Sequence, residues 1–130
     1  MGNSYIQPIA QASTPPYEAF IRSLYATLLQ RPPDMIGLRL FVAKLENGMA
    51  PTEIIRDIVL SEEYEALNKP DQDYVRDLYC IFLRREITLD DTINGWVKVV
   101  HSLGRSKTLE HFAQTPEASA ALSTAVRRGD

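Results

Sequence analysis

Residues 20–31 read "FIRSLYATLLQR", and 54 positions on, residues 74–85 read "YVRDLYCIFLRR". Arg22 matches Arg76, Leu24 matches Leu78, Tyr25 matches Tyr79, and Arg31 matches Arg85. Around the first stretch the apolar residues are Tyr17, Phe20, Ile21, Leu24, Tyr25, Leu28 and Leu29. Their steps of three and one mark one face of an amphipathic helix. Tyr74, Val75, Leu78, Tyr79, Phe82 and Leu83 repeat that face. The doubled pattern predicts two copies of one helical unit.

The flanking residues extend each copy. Thr14 is a candidate cap of the first helix, with Pro15 at its first position and Pro32-Pro33 as its stop. Asp71 is the matching candidate cap of the second long helix. Asp34 should cap a helix carrying Leu38, Phe41, Val42 and Leu45, closed by Gly48. In the second copy Thr88 caps, with Asp91 three residues on. Trp96 stands for Phe41 there, offset by one residue, and Gly104 stands for Gly48. A short third helix begins at Pro51 with Ile54, Ile55 and Ile58 inward. Its counterpart has Ser106 as cap, with Leu109 and Phe112 inward. Ser61 and Thr115 then start terminal helices, Glu62 to Leu67 and Pro116 to about Val126. No long period-two alternation suggests a sheet.

About fifty residues bury too little surface to be stable alone, whereas two packed copies share a core. The expected fold is therefore all-α. It is a compact helical bundle of two tandem pseudo-symmetric copies, each a three-to-four-helix unit. Copy one spans about residues 17–67 and copy two about 71–126, together one domain over 17–130. Residues 1–16 are expected to form a flexible or loosely packed arm.

The 130-residue chain is 45% hydrophobic and 24% charged, which suits a folded domain and no disordered tail. Its apolar runs are far shorter than the roughly 20 residues that cross a bilayer. A formal net charge of −3 argues against nucleic-acid binding, which draws on basic patches. The single cysteine, Cys80, allows no intrachain disulfide and reads as an inert thiol. The first residues lack the basic head and apolar centre of a secretory signal, and Ile6 breaks the myristoylation pattern. A cytoplasmic domain, or part of a larger protein targeted by other segments, is expected.

Catalytic patterns are missing from the sequence. His101 and His111 are ten apart with no cysteine at a ligand spacing, so no metal site is expected. Asp90-Asp91 and Glu62-Glu63 lie at helix starts, where carboxylates complement the helix dipole. No glycine-rich phosphate loop, nucleophile elbow or calcium loop occurs. No cofactor is expected.

The remaining candidates are the arginines and aromatics. Arg22 and Arg76 sit near the edge of the buried face. Arg31 lies three residues before Asp34, where a guanidinium can tie helix ends together or form a polar rim for a ligand. Trp96, Tyr25, Tyr64 and Tyr79 supply aromatic faces. Tyr64, between Glu63 and Glu65, is expected to be the most exposed of them.

Leu29-Gln30-Arg31-Pro32-Pro33-Asp34, Gly37-Leu38 with Phe41, Gly48, and Ser61-Glu62-Glu63-Tyr64 together resemble the bacterial family known as domain of unknown function 4214. The likeness covers residues 17–67. The second copy departs at Ile87-Thr88 and at Thr115-Pro116-Glu117-Ala118. The resemblance implies a helical, non-catalytic module that accompanies glycosyltransferases and secreted or surface proteins with calcium-binding repeats. The pattern is also similar to phycobilisome linker domains, which work by protein contact.

The expected function is a non-catalytic binding module that recognises a glycan or positions an associated glycosyltransferase domain. Arg31, Asp34, Tyr64, Arg22, Arg76 and Trp96 are the candidate ligand-binding residues. The alternative is a structural or protein-interaction domain that docks a partner or self-associates, with the small-residue helix "PEASAALSTAV" as one surface.

Overall fold

The computed structural model describes residues 14–84 and 90–128. Among these residues every regular element is helical, with no strand. Helix α1 (Thr14–Leu24) widens into a π-helical turn, π1 (Tyr25–Leu29). Helices α2 (Met35–Glu46), α3 (Pro51–Val59) and α4 (Glu62–Ala66) follow. Helix α5 (Asp71–Leu78) widens into π2 (Tyr79–Leu83), and α6 (Asp90–Leu103), α7 (Arg105–Ala113) and α8 (Pro116–Arg128) complete the order.

Helix α1 packs against both α2 and α8, and α8 also covers π2. Helix α5 packs on α6, α6 on α7, α4 on π1, and α3 touches α7. Phe20, Ile21, Leu24 and Leu28 from the first long helix are sealed from water, as are Tyr74, Val75, Leu78 and Phe82 from the second. They belong to one continuous apolar core. Burying each such side chain stabilises the fold by roughly 1.5–3 kcal/mol. At the α3–α7 contact Arg56 Nη1 donates to Glu110 Oε2 at 3.1 Å, a pair 54 residues apart.

Several expected caps form. Gly37 N–H donates to Asp34 Oδ2 at 3.3 Å. Tyr64 N–H donates to Ser61 Oγ at 3.2 Å, and Ala118 N–H to Thr115 Oγ1 at 3.3 Å. Pro51 is the first residue of α3, and Gly48 follows α2 with φ +94°.

Other expectations need correction. Pro32-Pro33 does not stop the first helix: Gln30 does, by entering the left-handed region at φ 60°. Arg84 ends π2 in the same way at φ 55°. Asp71 is not a cap, because it lies inside the first turn of α5 and accepts two hydrogen bonds from Arg105 instead. Ser106 is not a cap either. Helix α7 starts at Arg105, after Gly104 with φ 86°, without a side-chain cap. Helix α8 runs on to Arg128. Residues 14–16, assigned from sequence to the N-terminal arm, belong to α1, which begins at Thr14. Residues 1–13, the Thr14 side-chain cap, Arg85 and Thr88 lie outside the described residues.

Candidate functional site

The motif residues of the first half converge on the turn between π1 and α2. Arg31, left exposed by the left-handed Gln30, forms a two-pronged pair with Glu63 at the start of α4. Its Nε donates to Oε2 at 2.6 Å and its Nη2 to Oε1 at 2.7 Å. Its Nη1 donates to the Pro32 carbonyl at 2.9 Å, and the guanidinium lies 5.2 Å from the centre of the Tyr25 ring. The Glu63 bond holds Arg31 above its ordinary pKa, and the guanidinium holds Glu63 below the usual carboxylate value. A fork of this geometry fixes orientation as well as charge.

Asp34 caps α2 beneath this pair. A Cβ on Gly37 would stand 2.8 Å from the Tyr25 hydroxyl and 2.9 Å from Asp34 Oδ1. The glycine therefore makes room where ring and cap meet. Burial, followed by the charge of Asp34, pushes the Tyr25 hydroxyl pKa up. Arg31, Asp34, Gly37, Ser61 and Glu63 thus each have a local structural task. Together they latch the end of the first long helix to α2 and α4.

Tyr64 departs from expectation most. It is 1% exposed, not partly open to solvent. Its ring meets Tyr74 edge-on at 6.3 Å, and its hydroxyl donates to Asp77 Oδ2 at 2.7 Å. The helical turn that exposes Glu63 and Glu65 points Tyr64 into the core. Lys69 Nζ, on a largely covered side chain, donates to the same Asp77 oxygen at 2.7 Å and to the carbonyls of Leu28 and Thr27 at 3.1 and 3.4 Å. It satisfies carbonyl groups at the end of π1, which a helix terminus leaves without intrahelical partners. Burial pushes the Asp77 carboxyl up, against the lowering effect of the Lys69 and Tyr64 bonds, and pushes the Tyr64 and Tyr74 hydroxyls well up.

The other candidates do not join the latch. Arg22 is exposed and 4.0 Å from Glu18, and Arg76 is exposed and 3.4 Å from Asp73. Trp96 packs at 5.0 Å against Phe112, at the edge of the core. His101 Nε2 lies 3.0 Å from Asp71 Oδ2. Among the described residues no three His, Cys, Asp or Glu side chains gather as a metal site, and no helix is long and apolar enough to cross a membrane.

The feature that spacing alone overlooked is the outer side of α2. Met35 is 58% exposed, Ile36 79% and Leu40 51%. Met35 also lines an open groove between α1 and α2, together with Glu18, Arg22, Arg39, Val42 and Glu46, among others. The signal was present: Ile36 and Leu40, one helical turn apart, are out of phase with Leu38, Val42 and Leu45, which face inward.

The geometry defines an all-helical domain whose motif residues lock helix ends. Residues 10–68 match the model of the family described as Domain of unknown function (DUF4214), so the chain carries a segment of that family. No curated protein and no solved structure matches the chain.

Proposed function

We propose that this chain is a non-catalytic protein-docking module, built from two tandem pseudo-symmetric copies of one helical unit, with the outer side of α2 as its contact face. The observation that carries this reading is the exposed trio Met35, Ile36 and Leu40 on one helix. Ile36 and Leu40 stand one helical turn apart, and exposed apolar side chains that adjoin one another beside charged residues are typical of interaction sites. With the copies aligned and the one-residue offset at Trp96 kept, the second copy has Asp90, Asp91 and Gly95 at these places. The helical unit therefore does not require apolar residues there.

The two-copy reading is supported by the family match, which ends at residue 68, close to the end of the first copy. It is supported too by the left-handed residues Gln30 and Arg84 and by the Arg56–Glu110 contact, each pair 54 apart. A glycosyltransferase domain, implied by the family resemblance, is one partner of the class this face suits.

Glycan recognition is the second reading. A shallow apolar depression flanked by Arg22, Gln30, Arg31 and Pro33 favours it. Against it, the two aromatic candidates are not open platforms: Tyr64 is in the core and Trp96 leans on Phe112. A glycan array separates the two readings. The docking reading expects the folded chain to leave the array blank. Binding to a defined sugar that Arg31→Ala abolishes would overturn it in favour of glycan recognition.

A further inference from the structure

We propose that the partner seated on the α2 face is an acidic amphipathic helix of another protein, an inference that rests on the docking reading above. Ile36, Leu40, Ala43 and Asn47 are all exposed, and they follow one another at steps of four, three and four. That spacing marks the seam along which two helices pack side by side. The seam runs down the side of α2 opposite Leu38, Val42 and Leu45, which are buried, and Asn47 closes the helix. At 1.5 Å per residue it is about 16 Å long, a length that one short partner helix covers.

The charges beside the seam select the partner's. Arg39 stands one residue before Leu40, and Lys44 one residue after Ala43. These are the two flanking positions of a paired seam, where charges set partner choice. Arg39 is exposed. Lys44 lies 3.8 Å from Asp57 in a partly exposed pair, which holds it loosely. Glu46, the one acid of α2, already has an interaction within the chain. A second copy therefore offers this seam the same two cations and no uncommitted carboxylate from its own α2. Carboxylates on both sides of a partner's apolar edge answer Arg39 and Lys44 while that edge covers Ile36 and Leu40.

The copy-two helix α6 is not a competing site, since Asp91, Gly95, Lys98 and Ser102 stand at the corresponding places. An anionic membrane would also suit apolar and cationic side chains. Two cations fall short of the basic clusters that hold proteins on such lipid, and the net charge of −3 opposes the approach of the chain.

The test is fluorescence anisotropy with the full chain and two labelled helical peptides. Both carry leucines at steps of four, three and four; one has glutamates on both flanks of that seam, the other lysines. Circular dichroism checks that each variant of the chain is folded. The glutamate peptide is expected to bind about tenfold or more tightly than the lysine peptide, and to lose about as much on Leu40→Asp. Arg39→Glu should weaken the glutamate peptide and strengthen the lysine peptide, a gain that an unfolded variant could not give. Equal binding of the two peptides, or no binding of either up to millimolar chain, overturns the acidic partner. A photo-crosslink from position 36 in cells would then keep the docking reading, and its absence would overturn both. Glutamate-peptide binding indifferent to folded Leu40→Asp overturns the choice of face. Flotation with phosphatidylglycerol vesicles that Leu40→Asp abolishes, without peptide binding, overturns the proposal in favour of a membrane surface.

Discussion

The Tyr64 hydroxyl donates to the Asp77 carboxylate at 2.7 Å, joining α4 to α5 at the edge of the core. That bond turns a residue suited by type to a sugar-stacking surface into part of the scaffold. Tyr64→Phe should destabilise the fold by about 1.5–3 kcal/mol, the range for a hydrogen bond to a charged group. Tyr64→Ala should cost roughly 3–5 kcal/mol through the cavity it leaves. Urea unfolding measures both, and an unchanged midpoint for the alanine variant would contradict this packing.

Asp77 has a second role as the counter-charge of Lys69, whose side chain is only 9% exposed. Asp77→Ala should destabilise by roughly 3–5 kcal/mol at neutral pH, because it strands a buried ammonium. The pH dependence has a definite sign. Burial raises the folded carboxyl pKa above the ordinary value of 3.8, so the folded state holds this proton more tightly than the unfolded chain. The contribution from this titration is fully present below that value and is lost as pH rises through the raised pKa. Stability curves for the wild type and Asp77→Asn should differ in slope over that window. Parallel curves would contradict the assignment.

Glu63 behaves in the opposite sense. Its hydrogen bonds with Arg31 hold its folded pKa below the ordinary 4.5. The stability linked to this shift is present above 4.5 and is lost as pH falls through the depressed value. Carboxyl NMR titration should find Glu63 below its ordinary value in the wild type and back near it in Arg31→Ala. Both side chains are exposed, so the thermal midpoint should move only slightly.

Gly37 offers a test by addition. Replacing a helical glycine with alanine would gain up to about 1 kcal/mol from propensity alone. Here the new methyl meets the Tyr25 hydroxyl and the Asp34 cap, and loss of the cap costs about 1 kcal/mol. Displacement of Tyr25 adds to that cost, so Gly37→Ala should lower stability. A variant more stable than the wild type would show that the turn has room to spare.

The helices were legible in the sequence because their signals are local. The faces built on Phe20 and Tyr74, the caps at Asp34, Ser61 and Thr115, and the turn at Gly48 depend on neighbours within a few residues. The misread roles of Asp71 and Tyr64 depend on partners in other helices, whereas the misread ends at Gln30 and Gly104 turn on single left-handed residues. Asp71 looks like a cap until Arg105, brought in by α7, claims its carboxylate. Tyr64 looks exposed between two glutamates until Asp77 and Tyr74 surround it. Arg31 and Glu63 were visible as separate motif positions, but their pairing across 32 residues was not. Ile36 and Leu40 were visible only as apolar residues out of phase, a pattern that acquires meaning once α2 is known to have an open side.

The central claim, docking through α2, is tested most directly by a photo-crosslinking residue placed at position 36 in one chain and at position 94, an exposed asparagine of α6, in another. Irradiation in cells that make the chain should give a discrete protein adduct from position 36 and none from position 94. An adduct at twice the chain's mass identifies a second copy, and any other discrete mass identifies a different protein. Equal labelling at both positions, or none at position 36, would contradict docking through this face.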